Sequence, residues 1–200
     1  MKKIILTVAA VFALSFANAQ DKKESGSGFS KGDVFVTGAF TLGSTNDKNT
    51  EVKTSSFEIA PQVNFFLTEN ITIGAKVGYA SDKTKNSTTT TADDSTLSLG
   101  VAGRYYFTPA SQFSLFAQLG LDYSTMADNL PGSDYKFNSL DVAFAPGLNY
   151  FVSSNFSIEA KVAVIGIGSG KSNVSGDKGK SSFDFGGDWR SVSFGVNYKF

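Results

Sequence analysis

The chain has no cysteine and no histidine, a single tryptophan, two methionines and four prolines in 200 residues. Without cysteine there is no disulfide, no thiolate nucleophile and no acylation site for a lipoprotein anchor. Without histidine the side chain most used as a general base and as a transition-metal ligand is missing, and carboxylates alone suit only hard cations. No cofactor and no metal is therefore expected. Long apolar runs are scarce too: a mean hydropathy of −0.06 excludes a bundle of membrane-spanning helices. Excess positive charge is also lacking, with 18 basic residues against 18 acidic ones, so no nucleic-acid partner is expected.

The one apolar run that exists opens the chain. Lys2 and Lys3 precede Ile4 to Phe16, and Ala17, Asn18 and Ala19 supply a small-x-small site, so residues 1–19 read as a signal peptide cleaved between Ala19 and Gln20. The run is too short for a retained spanning helix, which needs roughly 18 or more residues. Loss of Lys2 and Lys3 would leave 16 basic residues against 18 acidic, a net charge of about −2. Residues 20–32 are polar and read as a flexible lead.

From residue 33 to 200 the hydrophobic period is two. Eight blocks show it: Asp33 to Gly43, Phe57 to Leu67, Ile71 to Ala80, Leu97 to Phe107, Phe113 to Tyr123, Leu140 to Tyr150, Phe156 to Val164 and Val192 to Phe200. Each is long enough to cross a membrane as a tilted strand of about 9 to 11 residues. Connectors alternate in length. Thr68 to Asn70, Thr108 to Gln112 and Ser153 to Asn155 are tight turns, whereas Ser44 to Thr54, Ser81 to Asp94, Ser124 to Phe137 and Ile167 to Asp188 read as long polar loops. An internal repeat marks the hairpin as the unit. Pro61 to Val77 and Pro146 to Val162 match at an offset of 85, with Asn64, Phe66, Asn70 and Ile73 recurring as Asn149, Phe151, Asn155 and Ile158.

Glycine (20) and phenylalanine (19) are both abundant, and something must cover those rings. The less apolar face of the blocks is mostly Gly, Ala, Ser and Thr, which fits the narrow interior of an eight-stranded barrel better than a water-facing surface. The apolar face then meets lipid. Phe65, Tyr105, Phe107, Phe113, Tyr150, Phe156, Tyr198 and Phe200 stand on it beside the short turns or the C-terminus, as an aromatic ring at a bilayer interface does. The expected fold is all-β: an eight-stranded antiparallel up-and-down transmembrane β-barrel over residues 33–200.

With these marks the chain resembles the small eight-stranded bacterial outer-membrane proteins typified by the OmpA transmembrane domain and OmpX. The resemblance implies a cell outer membrane location, a lipid bilayer partner, a monomer, and short turns and both termini in the periplasm. It also implies that Val192, Phe194, Val196, Tyr198 and Phe200 form the signal read by the outer-membrane assembly machinery. No peptidoglycan-binding domain follows Phe200, so that role is not expected. Enzymes among such barrels resemble one another in using a histidine, so no enzymatic activity is expected.

Other motifs carry little. Gly166 to Ser172 resembles a phosphate-binding loop, but Ile165 stands where the spacing needs glycine. Asp93-Asp94 lacks a calcium-ligand loop and reads as solvated. The sequons at Asn86 and Asn173 carry no weight in a bacterial chain. The inward charges Glu58, Lys76, Arg104, Asp122, Asp141, Glu159 and Lys161, with Lys199, read as a polar network in the lumen, since buried charges must pair. Arg104 is expected to be held by Glu159. Two functions remain open: a structural or surface-binding barrel acting through its loops on an unknown extracellular ligand, or a narrow gated pore lined by the same charges.

Overall fold

The computed structural model describes residues 27–87, 89–187 and 192–200. The expected leader, its cleavage site at Ala17, Ala19 and Gln20, and most of the lead lie outside the described residues. Twelve strands run antiparallel: β1 (Val34–Gly38), β2 (Phe40–Asp47), β3 (Val52–Ile59), β4 (Gln62–Phe66), β5 (Ile71–Asn86), β6 (Thr89–Tyr106), β7 (Phe113–Asp128), β8 (Lys136–Phe151), β9 (Phe156–Lys161), β10 (Ile165–Ser172), β11 (Lys180–Phe185) and β12 (Ser193–Lys199). They make eight walls of one barrel, because β1 with β2, β3 with β4, β9 with β10 and β11 with β12 are halves of interrupted strands. The ring closes where β1 meets β12, from Phe35 opposite Lys199 to Gly38 opposite Val196.

Two of the interruptions follow from local chemistry. Proline has no N–H to give a ladder, and Pro61 stands at the break between β3 and β4. Its counterpart in the repeat, Pro146, lies in β8 across from the break between β9 and β10. There Ala145 and Pro146 oppose three residues, Val162 to Val164, because Phe144 pairs with Ile165 and Gly147 with Lys161. This is a β-bulge, and it shifts the outward side of that wall from even to odd positions. Above the breaks, no ladder joins β2 to β11 among the described residues.

Outward side chains are apolar and exposed from Ile71 to Tyr79, Leu97 to Tyr105, Phe113 to Tyr123 and Leu140 to Tyr150, as expected of a wall facing lipid. The expected aromatic ring is present, with Tyr105 against Phe107, Phe156 against Tyr198 and Tyr198 against Phe200 at 4.9 to 5.2 Å between centroids. The short turns explain the sequence repeat. Leu67 N–H donates to Ile71 O and Val152 N–H to Phe156 O, both at 2.9 Å. Asn70 Nδ2 then donates to Tyr106 O at 2.7 Å and Asn155 Nδ2 to Lys199 O at 2.9 Å, so each asparagine clamps the end of the next wall.

Three expectations are corrected. The connectors read as long loops are largely strand: the Ser44 to Thr54, Ser81 to Asp94 and Ser124 to Phe137 segments carry β2, β3, β5, β6, β7 and β8 well beyond the apolar belt, and Ile167 to Asp188 holds most of β10 and all of β11. Ser and Thr recur in these segments, and their small polar side chains allow a pleated, hydrogen-bonded wall without an apolar face to betray it. The last block is shorter than expected, with Val192 ahead of β12 and Phe200 just past it. The lead ends in structure, because Phe29 N–H donates to Pro109 O at 2.7 Å and Gly32 N–H to Phe66 O at 2.9 Å, and the Phe29 ring is only 1% exposed.

Candidate functional site: the lumen

Alternate residues of every wall point inward, and a ladder places direct partners on one face. Arg104 on β6 and Glu159 on β9 meet in this way across the lumen. Arg104 Nη1 donates to Glu159 Oε2 at 2.7 Å and Nη2 to Oε1 at 3.1 Å, a bidentate pair with both residues at most 3% exposed. The guanidinium also donates to Gln118 Oε1 at 2.7 Å and to the Tyr106 hydroxyl at 3.1 Å. Glu159 receives Asn197 Nδ2 at 3.1 Å and lies 3.6 Å from Lys161 Nζ. Every charge in the knot thus has an opposite charge or a dipole, which a buried ion pair requires.

The other expected lumen residues divide by height. Lys76 bridges Asp122 at 2.8 Å above the knot, half-exposed. Asp141, opposite Asp122 in the ladder, accepts the Ser139 hydroxyl at 2.7 Å. Glu58 stands apart on β3, exposed and without an ion pair among the described residues. Higher still, Asp82, Asp94 and Asp128 are consecutive partners across β5, β6 and β7, so three carboxylates face the mouth in one row. Burial, with Asp128, Asp82 and Asp93 as negative neighbours, raises the Asp94 carboxyl above its ordinary range.

Below the knot lies a floor that the sequence reading missed. Phe29, Phe35, Phe66, Tyr106, Phe116 and Phe151 are all buried inside the barrel. Phe29 sits at the centre, 4.7 Å from Phe35, 4.9 Å from Phe66, 5.4 Å from Tyr106 and 4.7 Å from Phe151. The Arg104 guanidinium lies 4.8 Å over the Phe116 ring, joining knot to floor by a cation–π contact. A Cβ at Gly147 would come 2.4 Å from that ring, so glycine there makes room for phenylalanine. Gly28 is needed for its own reason: at φ +154° its position would bring a Cβ 2.4 Å from Ala110 O. Its carbonyl accepts Lys199 Nζ, which anchors the lead beneath the barrel.

One signal could have revealed the floor. At the short-turn ends the apolar alternation gives way to doublets, Phe65-Phe66, Tyr105-Tyr106, Leu115-Phe116 and Tyr150-Phe151, so that both faces are apolar at once. One member meets lipid and the other fills the lumen.

A model of the outer membrane protein β-barrel domain matches residues 6–200. No curated protein matches the chain significantly. Among solved structures it is similar to the outer membrane protein OprG from Pseudomonas aeruginosa, at 17% identity over 87% of this chain and 98% of that one, with a TM-score of 0.54. It is also similar to the E. coli outer membrane protein W, at 18% identity over 86% and 99% with a TM-score of 0.52. Neisserial surface protein A gives 18% identity over 86% and 99%, with a TM-score of 0.50. At such identities the likeness speaks for the fold alone, and the model's match supplies the membership: the chain belongs to the outer membrane protein β-barrel domain family.

Proposed function

We propose that this protein is a non-enzymatic barrel, closed at its base, that presents a stiff β-walled cup to the cell exterior for binding. The observation that carries this reading is the double closure of the lumen, a buried Arg104–Glu159 knot resting on six packed aromatic rings. Such a base stabilises the barrel and blocks through-flow. The row Asp82, Asp94 and Asp128 at the mouth favours a cationic partner over an anionic one. The short-turn end is periplasmic in this reading, and the leader is removed after Ala19.

Reconstituted in neutral planar bilayers, the protein is expected to conduct at background. It is also expected to bind an oligolysine peptide more weakly as salt rises. Discrete conductance steps in the wild type would overturn the closed base and promote the gated pore.

A second reading is passage of a small apolar solute from the mouth sideways into the membrane. One observation favours it: β2 and β11 share no ladder among the described residues, so two strand edges meet there without pairing. Protein-dependent uptake of an apolar dye into the vesicle bilayer, with conductance still at background, would select it.

A further inference from the structure

Outward residues on adjacent walls change from apolar to polar within one outward step of each other. On β7, β8, β10 and β11 the apolar series ends at Tyr123, Leu140, Ile167 and Phe183, and the next outward positions are Thr125, Asn138, Ser169 and Ser181. Leu140 pairs with Ser169 and Asn138 with Lys171, so a hydroxyl borders the last apolar residue and a lysine stands level with the amide. In this layer lies a cleft of about 340 Å³, lined among others by Asn138, Ser169, Ser181, Lys171, Lys178 and Lys180, with Tyr123 and Leu140 at its apolar edge.

The cleft is built for an anion. The Asn138 carbonyl oxygen is occupied by the Tyr123 hydroxyl at 3.2 Å and the Thr125 hydroxyl at 2.8 Å, which leaves its amide N–H groups to donate elsewhere. The carboxylate beside the cleft, Asp177, is turned to the loop backbone, accepting Ser172 N–H at 2.7 Å and Gly179 N–H at 2.8 Å. No lysine lining the cleft lies within 4 Å of a carboxylate among the described residues, and Asp177 attracts Lys171 only from farther away.

We propose that this cleft seats the phosphate of an anionic lipid of the outer leaflet, whose acyl chains lie against the apolar wall directly below. Charge complementarity and continuity with the lipid-facing wall point to a lipid and away from a soluble phosphate. The leaflet assignment rests on the topology proposed above; the binding itself does not.

The test uses the whole protein reconstituted in phosphatidylcholine vesicles carrying a small fraction of phosphatidic acid, with lipid preference read by fluorescence quenching from headgroup-matched labelled lipids. The wild type is expected to prefer phosphatidic acid. Lys171→Gln with Lys178→Gln should cut that preference roughly 30-fold, as two lysines at about 1 kcal/mol each imply. The matched variant Lys53→Gln with Lys85→Gln removes equal charge from another wall and should keep it. Equal loss in both variants, an unchanged preference in the first, or saturation by millimolar inorganic phosphate would each overturn the proposal. Orientation is read separately by protease on intact cells, so a failed topology and a failed cleft give different results.

Discussion

Replacing Arg104 by leucine probes the closed base most directly. The guanidinium makes two bonds to Glu159 and one each to Gln118 and Tyr106, all inside the lumen. Removing one member of a buried pair typically costs about 3 to 5 kcal/mol, because the other charge is left without compensation. Here Arg104→Leu leaves Glu159 with Lys161 at 3.6 Å and the Asn197 amide at 3.1 Å, so its cost should fall near about 3 kcal/mol. Glu159→Gln is harsher, since Arg104 and Lys161 would face each other with no anion between them, and about 5 kcal/mol is expected. The double replacement Arg104→Leu with Glu159→Leu should cost less than the sum of the single leucine variants by roughly 2 to 3 kcal/mol, the upper range for directly bonded residues. Urea unfolding in lipid vesicles, with midpoint and slope fitted separately, measures each value. Single replacements costing under about 1 kcal/mol, the range of exposed pairs, would refute the reasoning by showing that water reaches the knot.

The floor makes a second test. Phe29→Ala should destabilise the barrel by about 3 to 5 kcal/mol, the range for a buried aromatic, while conductance stays at background because the knot above is intact. Deletion of Phe200, whose N–H donates to Val34 O at 3.1 Å, should lower outer-membrane levels and leave degraded periplasmic protein, read by fractionation. Protease on intact cells is expected to cut at the hairpin tips, residues 129–135 and 173–179, and to spare the strand segments of 81–94; cuts confined to the short turns would invert the topology. The Ser172 hydroxyl, Gly179 N–H and Ser172 N–H lower the Asp177 carboxyl from 3.8 to about 2. A depressed folded value means the loop's support is fully present above the unfolded value and is lost as pH falls through about 2. The Gly179 amide resonance should therefore titrate near that pH, and a midpoint close to 3.8 would show the loop unformed.

The barrel was legible in the sequence because lipid imposes a simple rule. Every residue facing the bilayer must be apolar, so a period of two over eight blocks, short turns repeating at an offset of 85 and an outward aromatic ring can all be read without coordinates. The Arg104–Glu159 pair was legible for a related reason, that an inward charge in the lumen needs a partner, although the hairpin repeat misplaced the levels: Glu159 pairs directly with Asn149 in the ladder, and Arg104 with Gln118. Tertiary structure decided what alternation does not encode. Above the bilayer neither side of a wall must be apolar, so Thr84, Ser95 and Asn138 look like loop and yet continue the strands. Inside the base, Phe35, Phe66, Tyr106, Phe116 and Phe151 occupy positions the polar pattern assigns to the network, and Phe29 reaches them from outside any strand. Their burial depends on ring closure, which brings walls far apart in sequence around a space only as wide as their own side chains, and that width is a property of the closed barrel and of no single strand.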